Sequence, residues 1–141
     1  MKKKLILLGC FFIKVLNYLC IKKDGIIFIP HLNCKNDNYD IINYKSDNVL
    51  VVFNRIIKDN RFNNYTLYVI CHNQQKIDEY RQYVSSFERK GEVCFIPYSR
   101  RFITNLLFIK SFFKSKFVFT TDLGHNFTYK TSSQKIISLG Y

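Results

Sequence analysis

The 141-residue chain is long enough for one hydrophobic core and one domain, and its 48% hydrophobic content excludes a disordered protein. A net charge of +12 leads us to expect an anionic partner, whether a membrane surface, a phosphate-rich substrate or nucleic acid, without choosing among them. Five cysteines (Cys10, Cys20, Cys34, Cys71 and Cys94) form no CxxC pair, so a reduced, cytosolic protein is expected. His31 and Cys34 stand close together, but no second ligand pair has zinc-like spacing, and no metal site is expected.

The amino terminus starts with Lys2-Lys3-Lys4, followed by Leu5-Ile6-Leu7-Leu8-Gly9-Cys10. The apolar core before Cys10 is shorter than the roughly 7–15 residues of a signal h-region. The longer run to Ile21 is interrupted by Lys14 and Asn17, and a spanning helix wants about 20 mostly apolar residues. The segment reads instead as a helix with lysines at both ends, the second group being Lys22 and Lys23. Such a helix suits the interface of an anionic membrane, and the alternative is a helix packed on the domain. Residues 1–23 are therefore assigned to a basic, apolar helix and residues 24–141 to the domain.

After Asp24-Gly25, the run Ile26 to Ile29 closed by Pro30 predicts a buried strand. A polar loop follows from His31 to Lys45. Ser46 is a candidate cap for a helix in which Val49, Val52, Phe53, Ile56 and Ile57 recur at helical spacing, with Lys58 in its last turn. Tyr65 to Cys71 predicts the second strand. Asn73 is placed to cap a helix from Gln74 to Arg89, with Gly91 as its stop signal. Val93 to Ile96 with Pro97 predicts the third strand, and Ser99 opens a helix to about Phe113. Phe117 to Thr120 predicts a fourth strand ending at Asp122, and Lys135 to Leu139 a fifth. Strand and helix alternate, and the strands are continuous apolar runs. That pattern predicts an α/β, Rossmann-like, doubly wound parallel sheet with helices on both faces.

Ligands in such sheets bind at the carboxyl ends of the strands. GxGxxG, GxxxxGK[ST] and GxSxG are all absent, which removes the dinucleotide fingerprint, the P-loop and the serine-hydrolase elbow. The remaining candidates stand at the strand ends. His31 follows the first strand as a candidate base or phosphate contact. Asp122 ends the fourth as a site carboxylate or a turn cap. His125 lies in the loop beyond it. Arg100 and Arg101 fall at a helix start, where cations are otherwise unfavourable and a phosphate would suit them. The basic-aromatic run Phe112 to Phe117 is better explained by core packing than by nucleic-acid stacking, so no nucleic acid is expected.

The order of these elements resembles the amino-terminal domain of the CDP-glycerol glycerophosphotransferases, the teichoic-acid and capsule polymerases. Three places between Lys22 and Tyr141 carry the resemblance. They are Lys22 to Phe28, Tyr44-Lys45-Ser46-Asp47-Asn48, and Lys114 to Asp122 followed by Gln134 to Gly140. Two departures stand out. Val49 replaces the proline usual after Asn48, and the Trp-His pair before Gly140 is replaced by Ser138-Leu139.

The resemblance implies half of a GT-B transferase. An acceptor hydroxyl would attack the β-phosphate of a CDP-activated polyol and release CMP. It adds Asp47, Asn48 and Gly140 to His31, Arg100, Arg101, Asp122 and His125 as acceptor-binding candidates, with Leu139 standing where the family's base would be. The implied setting is cytoplasmic and peripheral on the inner face of the cell membrane. The implied partners are an anionic membrane surface, a polyol-phosphate or glycolipid acceptor, and a carboxyl-terminal domain. CDP-glycerol would bind that other domain, so no cofactor is expected in these residues and the chain alone is expected to be inactive. The alternatives are a fragment of a different GT-B surface-polysaccharide glycosyltransferase and a non-catalytic module that docks to a membrane or a partner.

Overall fold

The computed structural model describes residues 2–20, 24–30, 41–42, 47–71, 74–98, 106–121 and 130–139. Its centre is β1 (Gly25–Ile29), every residue of which is buried. A strand buried on both sides must feed two cores, because alternate side chains point to opposite faces. Ile26 and Phe28 enter one core, with α2 (Asn48–Ile56), β2 (Thr66–Cys71) and α3 (Ile77–Ser85). Ile27 and Ile29 enter the other, with Phe108 and Phe112 of α4 (Leu106–Lys114) and Ile13 of α1 (Lys2–Leu19). In the first core, Phe28 meets Phe53 edge-on at 5.2 Å and stacks on Phe119 at 5.5 Å.

All the pairings are parallel. With β3 (Val93–Pro97), β4 (Ser115–Thr120) and β5 (Lys135–Ser138), the sheet has the order β3-β2-β1-β4-β5. Helices cover both faces. The chain is thus an α/β, Rossmann-like, doubly wound domain preceded by a helix, as the strand-helix alternation predicts.

The helix ends are set by particular side chains. Asp47, not Ser46, caps α2: its Oδ1 accepts from the Val49 and Leu50 amides at 2.8 and 3.1 Å. Ser46 itself lies outside the described residues, as does Asn73. The carboxylate one residue later wins because its oxygen reaches two of the orphan amides of the first turn. Lys58 lies beyond α2 and sits over the Phe87 ring at 5.7 Å. Buried Asn54 of α2 donates to Ile41 O at 2.9 Å and to Leu50 O at 3.0 Å, while its Oδ1 accepts from Tyr83 Oη at 2.7 Å. That one amide joins α2, α3 and the segment before α2.

The third helix is shorter than its periodicity predicts. Gln74–Lys76 is a 3-10 turn, and α3 stops at Ser85 rather than running to Arg89. Arg89 is drawn off the helix instead. Its Nη2 donates to Tyr65 O at 2.6 Å and Phe62 O at 3.3 Å, and its Nε donates to Gly91 O at 3.1 Å. Gly91 is therefore not a helix stop. An added Cβ there would lie 2.0 Å from the Tyr65 carbonyl oxygen, so the β2 and β3 lead-ins approach as closely as they do only with glycine. Gly91→Ala is expected to lower stability by roughly 1–3 kcal/mol, the range for overpacking a fixed neighbour, read as a lower urea midpoint with an unchanged slope.

Candidate functional site

The strand order fixes one special position. From β1 the chain moves to β2 and then β3, and it then returns across the sheet to β4 on the other side of β1. The switch point is therefore between the carboxyl ends of β1 and β4, where open α/β sheets leave a crevice for ligands. Ile29 pairs with Thr120 at that end. Pro30 follows on one side and Thr121 on the other, both buried. Beside them, the Leu139 amide donates to Thr120 O at 2.9 Å, which extends the β4–β5 ladder one residue past β5. On the far side of β1, the Tyr98 amide donates to Cys71 O at 2.8 Å.

Among the sequence-derived candidates, Asp47, Asn48 and Leu139 are described. Asp47 is buried at the amino end of α2, the helix that follows β1 in the chain. Its carboxylate answers the positive end of the helix, so a phosphate seated there would meet like charge. A ligand hydroxyl suits this end better. Asn48 is the exposed first residue of the same helix. Leu139 packs its side chain against the core on the α2–α3 face and offers no proton acceptor. His31, Arg100, Arg101, Asp122, His125 and Gly140 lie outside the described residues. In the chain, His31 directly follows Pro30 and Asp122 directly follows Thr121, the two residues that flank the switch point.

Two buried polar atoms find no hydrogen-bond partner among the described residues, Thr121 Oγ1 and Arg89 Nη1. Thr121 stands at the switch point, and nothing in the sequence marks it apart from the strand end it follows. Arg89 stands at the opposite, amino edge of the sheet. A cavity of about 190 Å³ there is lined by Lys58, Asp59, Asn63 and Glu88 as well as Arg89. This edge is tied by backbone-directed bonds: Arg89 binds three carbonyls, and Asn63 Oδ1 accepts from the Lys90 amide at 2.8 Å. Arg61 holds the Asp59 carboxyl down to about 2 through a paired hydrogen bond. The amino edge is therefore a braced turn, and the switch point lies at the opposite, carboxyl edge.

Two further residues escape sequence reasoning. Asn17 reads as a polar interruption of an apolar run, yet it is fully buried. Its Nδ2 donates to Gln134 Oε1 at 2.9 Å. Gln134 in turn donates to Phe112 O at 2.6 Å and Ser115 O at 3.0 Å, and accepts from the Thr131 amide at 3.3 Å. The signal for Asn17 was the amide itself: a lone polar residue in an apolar helix needs a partner. Among the described residues, no group of three or more His, Cys, Asp or Glu is placed to hold a metal ion.

Comparison of the chain with family models, with curated proteins and with solved structures gives no match. The geometry at the switch point therefore carries the functional argument. Asp47→Ala is expected to cost about 1 kcal/mol by removing the α2 cap, and Asp47→Ser to retain most of that stability. Thermal unfolding of the two variants beside the parent chain measures the difference.

Proposed function

We propose that this domain is the acceptor-binding half of a two-domain GT-B transferase of the CDP-glycerol glycerophosphotransferase type. It would work at the inner face of the cell membrane in teichoic-acid or capsular-polysaccharide synthesis. The observation that carries the reading is convergence. The segments whose residues resemble that family are β1, the capped start of α2, β4 and β5. These strands are neighbours in the sheet, and α2 follows β1 in the chain, so the segments gather around one switch point. A buried Thr121 hydroxyl at that point adds a polar group with no hydrogen-bond partner among the described residues.

In the reaction, the acceptor hydroxyl oxygen bonds to the β-phosphorus of the CDP-polyol. The phosphoanhydride bond breaks, CMP leaves, and the hydroxyl proton passes to a base. Leu139 cannot be that base, so His31 or His125 is the candidate in this chain, or else the base comes from the donor-side domain. The net charge of +12 favours a polyanionic acceptor at an anionic surface. No helix among the described residues is long and apolar enough to cross a membrane, so a peripheral position is the one proposed. Leu139 also favours a second reading, a binding module that holds the acceptor without catalysing transfer.

The test is an amide-shift titration of the isotopically labelled chain with a short poly(glycerol phosphate). Shifts are expected at Ile29, Thr120, Thr121 and Leu139, and not at Asn63, Arg89 or Gly91. Shifts confined to the amino edge, or none, would sink the reading. Asp122→Asn is expected to weaken the response with little change in melting temperature. A large loss of stability would instead make Asp122 a turn cap. CMP release on adding CDP-glycerol, with a donor-side domain supplied, separates the transferase from the binding module.

A further inference from the structure

α1 is held by the domain along one narrow stripe. Half-buried Cys10, partly buried Ile13 and buried Asn17 follow the i, i+3, i+7 spacing of one helix side. Toward the amino end none of the described residues covers the helix. The four consecutive residues Leu5 to Leu8, which go once around it, are each 60–69% exposed. Phe11, Phe12, Val15, Leu16, Tyr18 and Leu19 are exposed as well.

The distribution around the axis is uneven. At about 100° per residue, Lys3 and Lys14 fall on the same side as Cys10 and Asn17. Leu8, Phe11, Phe12, Val15 and Leu19 fall on the opposite side. The domain thus sits on the polar side of α1, and the broad apolar side faces away from it. The helix carries four lysines and no acidic residue. A second copy of so cationic a helix is repelled, whereas an anionic surface is attracted. At 18 residues the helix is about 27 Å long, and Lys14 interrupts it near the middle of its second half. It therefore suits lying in a membrane better than crossing one.

We propose that α1 lies in the interfacial plane of an anionic bilayer, with Leu8, Phe11, Phe12, Val15 and Leu19 in the acyl boundary and Lys2, Lys3 and Lys14 at the headgroups. We propose further that the Asn17–Gln134 hydrogen bond holds the domain above it in one orientation. Lys4, on the apolar side at the helix start, reaches the headgroups along its own stem. This deepens the membrane part of the function proposed above and is independent of the transfer chemistry.

The chain contains no tryptophan, so single substitutions are clean reporters. Phe11→Trp, Val15→Trp, Lys3→Trp and Lys14→Trp are made in the full chain and mixed with vesicles of brominated phosphatidylcholine and phosphatidylglycerol. Quenching is expected to be several-fold stronger at positions 11 and 15 than at 3 and 14. Vesicles of phosphatidylcholine alone are expected to bind at least about tenfold more weakly, because each lysine near an anionic surface is worth about 1 kcal/mol. In co-sedimentation, Phe11→Asp with Phe12→Asp is expected to lower bound protein at least about tenfold. Leu106→Asp, at an apolar position 82% exposed elsewhere on the domain, is expected to leave it unchanged.

Equal quenching at all four positions would mean a helix surrounded by lipid and would overturn the in-plane arrangement. Equal binding to both vesicle types, no quenching, or a concentration-dependent blue shift without vesicles would overturn the lipid partner, the last in favour of a second copy. Asn17→Ala is expected to keep vesicle binding while broadening the distribution of distances from the membrane to a label on exposed Lys90. An unchanged distribution would overturn the orienting role. None of these outcomes depends on the amide-shift titration, so either proposal can fail alone.

Discussion

The carboxamide of Gln134 holds together the parts of this molecule that the sheet alone does not. Its oxygen accepts from Asn17 of α1 and from the Thr131 amide, and its nitrogen donates to Phe112 O near the end of α4 and to Ser115 O at the start of β4. Gln134 and each of these partner residues is buried, so the groups are withdrawn from water together. Leaving one such group without a partner costs about 1–3 kcal/mol, so the four bonds stand or fall together. Through them α1, the tight α4–β4 junction and the turn into β5 become one unit. The ladders Phe117–Lys135 to Thr120–Ser138 then carry that unit to the carboxyl edge.

The architecture was legible because its signal is local. Four apolar residues and a proline after Gly25 leave little choice but a buried strand, and five such runs separated by helix-length segments leave little choice but a parallel sheet. The ends of the elements were less legible, and the reason is tertiary. Periodicity extends α3 to Arg89, but three carbonyls from outside the helix compete for that guanidinium and win. Gly91 has the look of a helix terminator, yet what demands glycine there is the carbonyl of Tyr65, a residue 26 positions earlier. β4 starts at Ser115, two residues before its apolar run, because Ser115 turns its hydroxyl back to Ser111 O at 2.8 Å and leaves its backbone free for the strand.

The site was legible only as a location. Strand ends name His31 and Asp122 as neighbours of an edge, but the sequence does not say which edges adjoin. The return of the chain from β3 to the far side of β1 supplies that, by setting the ends of β1 and β4 side by side. Thr121 could not be singled out beforehand, since a threonine after a strand is ordinary and its lack of a partner among the described residues is a property of the packing. Asp47 shows the reverse. Its place in a Tyr-Lys-Ser-Asp-Asn run suggested ligand binding, and its oxygen is engaged in holding a helix end. The capping carboxylate also sets a negative charge at the amino end of α2, which disfavours an anion there.

α1 is attached to the domain through a polar contact as well as an apolar one. A helix held to its domain only by apolar packing would face competition from lipid, because acyl chains satisfy leucine and phenylalanine as well as a protein core does. An amide pair faces no such competition. Lipid tails offer Asn17 neither donor nor acceptor, so releasing it from Gln134 into a bilayer would strand polar groups on both sides. Among the described residues, the apolar core contact of α1 is Ile13. The helix thus has a polar clasp on one side and exposed apolar side chains on the other, so its hold on the sheet does not draw on that exposed area. The same clasp ends where β4 and β5 begin, so it ties α1 to the amino edge of the two strands whose ladder runs from there to the carboxyl edge.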